Sequence, residues 1–157
     1  MFNGFEAVFN KKSEILILGS FPSVKSRANG FYYGNKQNRF WKMLEFVFNE
    51  NIEDDIDFKK HFLLSHHIAL FDVVEESDLK GSADISLEKS NHKLADFSFL
   101  LPPNTGVKKV ICNGKTAFNL FTENYNCPVP VIYLSSTSSA NPRFSYEEWN
   151  KELEFLK

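Results

Sequence analysis

The chain has 157 residues, 43% hydrophobic and 24% charged, with a formal net charge of −2. That length supports one core and a single domain over residues 1–157, and the composition is that of a globular protein. The slight acidity, with a pI near 6.1, excludes a surface coated with positive charge for nucleic acid but leaves room for a local basic patch. No apolar run approaches the ~18 residues that cross a bilayer. The opening "MFNGFEAVFNKKSE" has no basic segment followed by an apolar one, so no signal peptide and no membrane association are expected, and the expected location is the cytoplasm.

In chain order, "ILILG" (Ile15–Gly19) is a continuous apolar run, the pattern of a strand buried on both faces. "GSFPS" (Gly19–Ser23) follows it. It lacks the GK[ST] of a phosphate loop, and GxGxxG is absent from the chain. It is either a plain turn or a backbone floor for a flat ligand, with Phe21 or Pro22 as a wall. "YYGNKQNRFW" places two tyrosines, Tyr32 and Tyr33, ahead of Asn38. The tyrosines are candidates to stack a planar group. Asn38 sits at the mouth of a helix, either as a cap or as a site residue. Phe40, Trp41, Leu44, Val47 and Phe48 then recur at helical spacing, and Phe58, Phe62 and Leu63 do so in a second helix. "ENIEDDID" (Glu50–Asp57) between them reads as a solvated connection.

"IALFDVV" (Ile68–Val74) is the second strand, "VKKVICN" (Val107–Asn113) the third and "PVPVIYLSS" (Pro128–Ser136) the fourth. The polar segment Glu75–Asn91 reads as a long connection. "GKTAFNLF" brings Ala117, Leu120 and Phe121 to one side of a helix. Ser145 with Glu148 three residues on is a capping-box pattern opening a last helix, whose buried face is Tyr146, Trp149, Leu153 and Leu156. Strands alternating with helices at about 30-residue spacing predict an α/β fold with a mainly parallel sheet.

In such sheets ligands bind beyond the C-terminal strand ends. That selects Gly19–Pro22, Asp72, Asn113–Gly114 and Ser135–Arg143. "SSTSSANPR" offers small hydroxyls, backbone N–H groups and Arg143, suited to phosphate contacts, or it is simply a serine-rich loop. No Ser/His/Asp set and no closely spaced carboxylate pair stands out. His66 and His67 are adjacent, so they point apart and make a poor metal pair. They read as a solvated segment end. Cys112 reads as buried and Cys127 as lying in a loop, with no disulfide pattern and no CxxC. No metal and no cofactor is expected, and four cysteines for an iron–sulfur cluster are not present.

The segments "LILGSFPS", "YYGNKQNRFW", "IALFDVVEESDLKGSADISL", "ICNGKTAFNLF" and "LSSTSSANPRFSYEEW", in that order over most of the chain, resemble the uracil-DNA glycosylase superfamily, and within it the hypoxanthine (deoxyinosine) branch. The resemblance implies a three-layer αβα sandwich around a mainly parallel four-stranded sheet. It implies a monofunctional hydrolase that releases deaminated bases, hypoxanthine and with it uracil or xanthine, from DNA in base excision repair, with a mismatch-type uracil-DNA glycosylase as the alternative. A catalytically weak nucleic-acid-binding domain of the same fold is a further alternative. It implies DNA as partner, and a monomer is expected. Asn38 is the implied catalytic residue, matching the Asn of the branch's N-x-F-W motif, because Phe21 stands where mismatch-type relatives carry their catalytic Asn. Gly19, Ser20, Phe21, Pro22, Tyr33, Asp72 and Asn113 are the implied base pocket. Tyr33 is expected to stack the base and Asp72 to read it. Ser136, Thr137, Ser138, Ser139, Ala140, Asn141 and Arg143 are implied to grip DNA. Ser23 stands where the branch usually has Gly, which is expected to narrow the loop. Asn35, Lys36 and Gln37 replace a His-Pro-Arg-like run, and the missing proline is expected to loosen the approach to Asn38.

Overall fold

The computed structural model describes residues 2–78, 87 and 91–157. Seven strands are described, β1 Phe2–Asn3, β2 Ile15–Gly19, β3 Ile68–Asp72, β4 Val74–Ser77, β5 His92–Leu94, β6 Lys109–Asn113 and β7 Val131–Leu134. The described helices are α1 Val24–Asn29, α2 Phe40–Phe48, α3 Ile56–Ser65, α4 Lys115–Asn124 and α5 Tyr146–Leu153.

The central sheet has the order β3-β2-β6-β7, and all of its pairings are parallel. β2 is buried at every position, and its period of two divides the core. Ile15 and Ile17 face one cluster with Met43, Leu44, Val47, Leu63, Trp149 and Leu153, from α2, α3 and α5. Leu16 and Leu18 face the other with Ala117, Leu120 and Phe121 from α4, and with Phe97, Leu100 and Leu101. A strand hydrophobic on both faces requires cover on both, and the result is the three-layer αβα arrangement. Among the described residues, no helix is long and apolar enough to cross a membrane.

β2 matches its apolar run, and the other three strands of the sheet are shorter than theirs. The second run breaks at Val73. β3 ends at Asp72, and the chain resumes as β4, which pairs antiparallel with β1 and β5 in a separate three-stranded sheet. The part of Glu75–Asn91 that is described thus contributes strand as well as connection, and residues 79–86 and 88–90 of that segment lie outside the described residues. The third strand starts at Lys109 rather than Val107. In the fourth, Pro128 and Pro130 have no N–H to give a ladder, and Ser135 turns its N–H to Glu148 Oε1 at 2.9 Å.

That bond revises the capping box. Ser145 caps α5 by accepting from the Glu148 N–H, but the Glu148 carboxylate holds the end of β7 instead of returning to Ser145. His66 and His67 make structural contacts. His66 packs on Phe48 with ring centres 4.0 Å apart and meets Glu50 at 2.6 Å, and His67 meets Glu14 at 2.8 Å. Cys112 is buried and Cys127 partly so, both as free thiols.

Strand order places the crevice. The chain leaves β2 toward β3 on one side and later returns to β6 on the other, so the connections diverge above β2 and β6. A cleft opens at such a switch point. Gly19 ends β2, Asp72 is its register partner on β3, and Asn113 ends β6.

Candidate active site

The cleft holds a cavity of about 240 Å³, lined by Gly19, Ser20, Phe21, Pro22, Tyr33, Asn38, Asp72, Asn113, Ser136, Thr137, Ser138 and Ala140, together with Ser23, Ser26, Tyr32 and Thr116. Ligand pockets for drug-sized molecules run at roughly 300–1,000 Å³, so this one suits a single small ring. Every expected pocket residue reaches it. Of the loop residues, Ser136, Thr137, Ser138 and Ala140 line it, while Asn141 and Arg143 line an adjoining groove with Lys115 and Tyr133. Ser139 lines neither and is exposed.

The floor is backbone. The Gly19 and Ser20 carbonyls accept from the Val73 and Val74 N–H groups at 2.8 and 3.0 Å. Among the described residues, nothing accepts from the N–H groups of Ser20 and Phe21. Gly19 is required by crowding. A Cβ there would lie 2.4 Å from Asp72 Oδ1 and 2.7 Å from the Tyr33 hydroxyl.

Asp72 is buried, and its Oδ2 has no hydrogen-bond partner among the described residues. Burial favours the neutral acid and pushes its pKa up to about 7. The Tyr33 hydroxyl beside it is also buried. It feels Asn113 but forms no hydrogen bond of normal geometry, and burial raises its pKa well above the ordinary tyrosine range. Tyr33 has φ +52, a left-handed conformation unusual for an aromatic residue. One ring face is stacked on Phe40 with centroids 4.1 Å apart. Tyr32 has a different task. Its hydroxyl donates toward the Phe5 and Glu6 carbonyls at 3.1 and 2.8 Å and ties down the N-terminal segment.

Asn38 lines the cavity from the turn before α2, and the N-cap of that helix is Arg39 rather than Asn38. Its Oδ1 accepts the Phe40 N–H at 2.9 Å, and among the described residues nothing accepts from its Nδ2. The turn leading to it is closed by two hydrogen bonds. Asn35 Oδ1 accepts the Gln37 N–H at 3.0 Å and the Asn35 carbonyl accepts the Asn38 N–H at 2.9 Å. An asparagine turn of this kind closes through its own side-chain hydrogen bond where no proline is present. Ser23 serves as the N-cap of α1, accepting from the Ser26 N–H at 3.1 Å.

Asn113 spends its amide on the serine loop. Its Nδ2 donates to Thr137 Oγ1 at 2.9 Å, and its Oδ1 accepts the Thr137 N–H at 3.0 Å. Thr137 is buried and acts as the loop's anchor. The loop's own side chains finish the turn, with Ser136 Oγ accepting from Ser138 N–H and Asn141 Nδ2 donating to the Ser136 carbonyl. Arg39 was not singled out from the sequence. It joins the two halves of the rim, with its backbone N–H on the Thr137 carbonyl and its guanidinium on the Ser138 and Asn141 carbonyls. An arginine within a motif gives no sign, in one dimension, that it faces carbonyls about a hundred residues away.

Comparison with known proteins agrees with this geometry. Residues 6–156 match the family described as the uracil DNA glycosylase superfamily. A hypoxanthine DNA glycosylase from Methanosarcina acetivorans is 35% identical over 143 residues, covering 90% of this chain and 89% of that one. One from Methanosarcina barkeri is 32% identical over 114 residues, covering 71% and 70%. The solution NMR structure of a candidate uracil DNA glycosylase from Methanosarcina acetivorans superposes with a TM-score of 0.81 at 33% identity, over 98% of this chain and 97% of that one.

Proposed function

The chain belongs to the uracil DNA glycosylase superfamily, and from that premise we propose how its cavity works. It is a DNA N-glycosylase that acts on deaminated bases. Hypoxanthine is the lesion we assign first, since both curated relatives are named for it, with uracil and xanthine as the other candidates. The enzyme works as a monomer. The observation that supports the site assignment is that Tyr33 and Asn38, from the loop before α2, and Asp72, from the end of β3, line one small cavity.

A base inside a duplex is out of reach, so the nucleotide swings out, at a cost of a few kcal/mol that is smaller for a mispaired base. The base enters against the open face of Tyr33. Asp72 meets its polar edge, and its unpartnered oxygen gains a hydrogen bond there. As the C1′–N bond stretches, positive charge grows on the sugar and negative charge on the base. The N–H groups of Ser20 and Phe21 are fixed donors for that negative charge. Asn38 is a neutral amide and no strong base. Its free Nδ2–H hydrogen-bonds the leaving base, or its amide orients water for attack at C1′. Water oxygen bonds to C1′, the base leaves with a proton, and an abasic site remains. Ser136–Ala140 border the flipped nucleotide, while Lys115 and Arg143 in the adjoining groove supply the local positive charge that the net composition lacks.

The test is a panel of duplexes carrying deoxyinosine, deoxyuridine or deoxyxanthosine, incubated with excess enzyme and treated with alkali to break abasic sites. Fastest cleavage at deoxyinosine is expected. Fastest cleavage at deoxyuridine would transfer the preference to uracil, and salt-sensitive binding without cleavage of any duplex would favour a binding domain.

A further inference from the structure

Arg39 follows Asn38 directly and reaches across the rim of the cavity to the serine loop. Its backbone N–H donates to the Thr137 carbonyl at 3.0 Å, one Nη2 donates to the carbonyls of Ser138 and Asn141, the latter at 2.7 Å, and Nε approaches Thr137 O at 3.5 Å. The guanidinium lies over the Phe144 ring, 4.5 Å from its centre. No carboxylate pairs with it among the described residues. The same Thr137 is held from the opposite side by Asn113. The Asn38 turn, Arg39, the 137–141 loop and β6 therefore close a frame around the cavity.

We propose that Arg39 is a positioning residue for base release, setting the span between Asn38 and the loop that borders the flipped nucleotide. Two features make arginine suited to the task. A planar fork bonds several carbonyls at once while lying flat on an aromatic ring, which a lysine ammonium cannot reproduce. Carbonyls drawn inward to the cation also leave the exposed side of the loop to side chains and N–H groups. Because its donors face carbonyls, Arg39 acts through Asn38 and the loop rather than by touching substrate. A small displacement of a reacting group is enough to slow chemistry by up to about a hundredfold, so the expected effect falls on the rate of the bound complex.

The inference rests on the roles assigned above to Asn38 and the loop, and the experiment separates the two. Single-turnover release from a deoxyinosine duplex is measured over a range of enzyme concentrations for the wild type, Arg39→Lys and Phe144→Leu, with melting temperatures recorded alongside. Arg39→Lys is expected to lower the saturating rate about tenfold or more, with half-saturation within about threefold of wild type because the charge remains. Phe144→Leu keeps the hydrogen bonds but removes the ring, and is expected to give a smaller loss in the same quantity. It carries the test if the lysine variant melts below the assay temperature. A saturating rate at the wild-type level in a folded Arg39→Lys or Phe144→Leu, or a loss confined to half-saturation, would overturn the positioning role alone. Absence of base release by the wild type would instead overturn the glycosylase assignment.

Discussion

Asn38 Oδ1 accepts the Phe40 N–H at 2.9 Å, so one side chain closes the turn into helix α2 and borders the cavity. The two roles use different atoms and can be separated. Asn38→Ala removes both. It should lose detectable base release and about 1 kcal/mol of stability, the usual net worth of one hydrogen bond. Asn38→Ser keeps an oxygen able to accept the Phe40 N–H but has no amide, so its unfolding midpoint should return toward wild type while base release stays absent. Denaturant unfolding and single-turnover assays on both variants check this. Base release near the wild-type rate from the serine variant would show that the amide is not needed.

Gly19 abuts Asp72 and Tyr33 so closely that Gly19→Ala must displace one of them. The Tyr33 ring is held against Phe40 and cannot swing away freely. Overpacking of this kind costs roughly 1–3 kcal/mol, and base release should fall with it. Urea unfolding of the alanine variant measures the first quantity, and an unchanged midpoint would mean that the site yields more easily than its packing implies.

Asp72 gives the chain a pH signature. Its folded pKa, about 7, lies above the unfolded value of 3.8, so between those values the folded state binds more protons than the unfolded one. Stability contributed by the neutral acid is fully present below about pH 4, declines as pH rises, and is gone above about pH 7. Asp72→Asn, which cannot ionise, should flatten that decline and be relatively more stable at pH 8 than at pH 4, by roughly 2–4 kcal/mol. Unfolding free energies of both proteins across pH 4–8 test it, and parallel curves would count against a buried carboxyl.

Asn113→Ala should loosen the serine loop without dissolving the fold. It leaves the buried Thr137 N–H and Oγ1 without their partner, at about 1–3 kcal/mol. Amide hydrogen exchange should accelerate at Thr137 and its neighbours and remain slow in β2. Uniform acceleration across the sheet would mean that the clamp supports the whole core.

Much of the frame was legible because period and punctuation carry it. An uninterrupted "ILILG" demands cover on both faces, and the core divides accordingly at Ile15, Leu16, Ile17 and Leu18. The strand-end rule selected Gly19, Asp72 and Asn113, which register brings side by side. Less legible were features that exist only after the chain has folded. β1 is two residues long and β4 reads "VEES", so the antiparallel sheet has no apolar pattern to announce it. Asn113 was expected to line the pocket and does, but its two hydrogen bonds to Thr137 in the serine loop could not be foreseen. Arg39 looks like any surface cation until distant carbonyls converge on it. How the chain turns before Asn38 without proline was not legible either, because an asparagine turn is built by side-chain hydrogen bonds, which composition alone does not reveal.

The most direct test of the site is a crystal structure of Asn38→Ala bound to a duplex containing deoxyinosine. The account predicts the hypoxanthine ring extruded into the cavity, flat against Tyr33, with its polar edge at Asp72 and residue 38 facing the intact glycosidic bond. A base that remains stacked in the helix, or one seated elsewhere with the cavity closed, would contradict it.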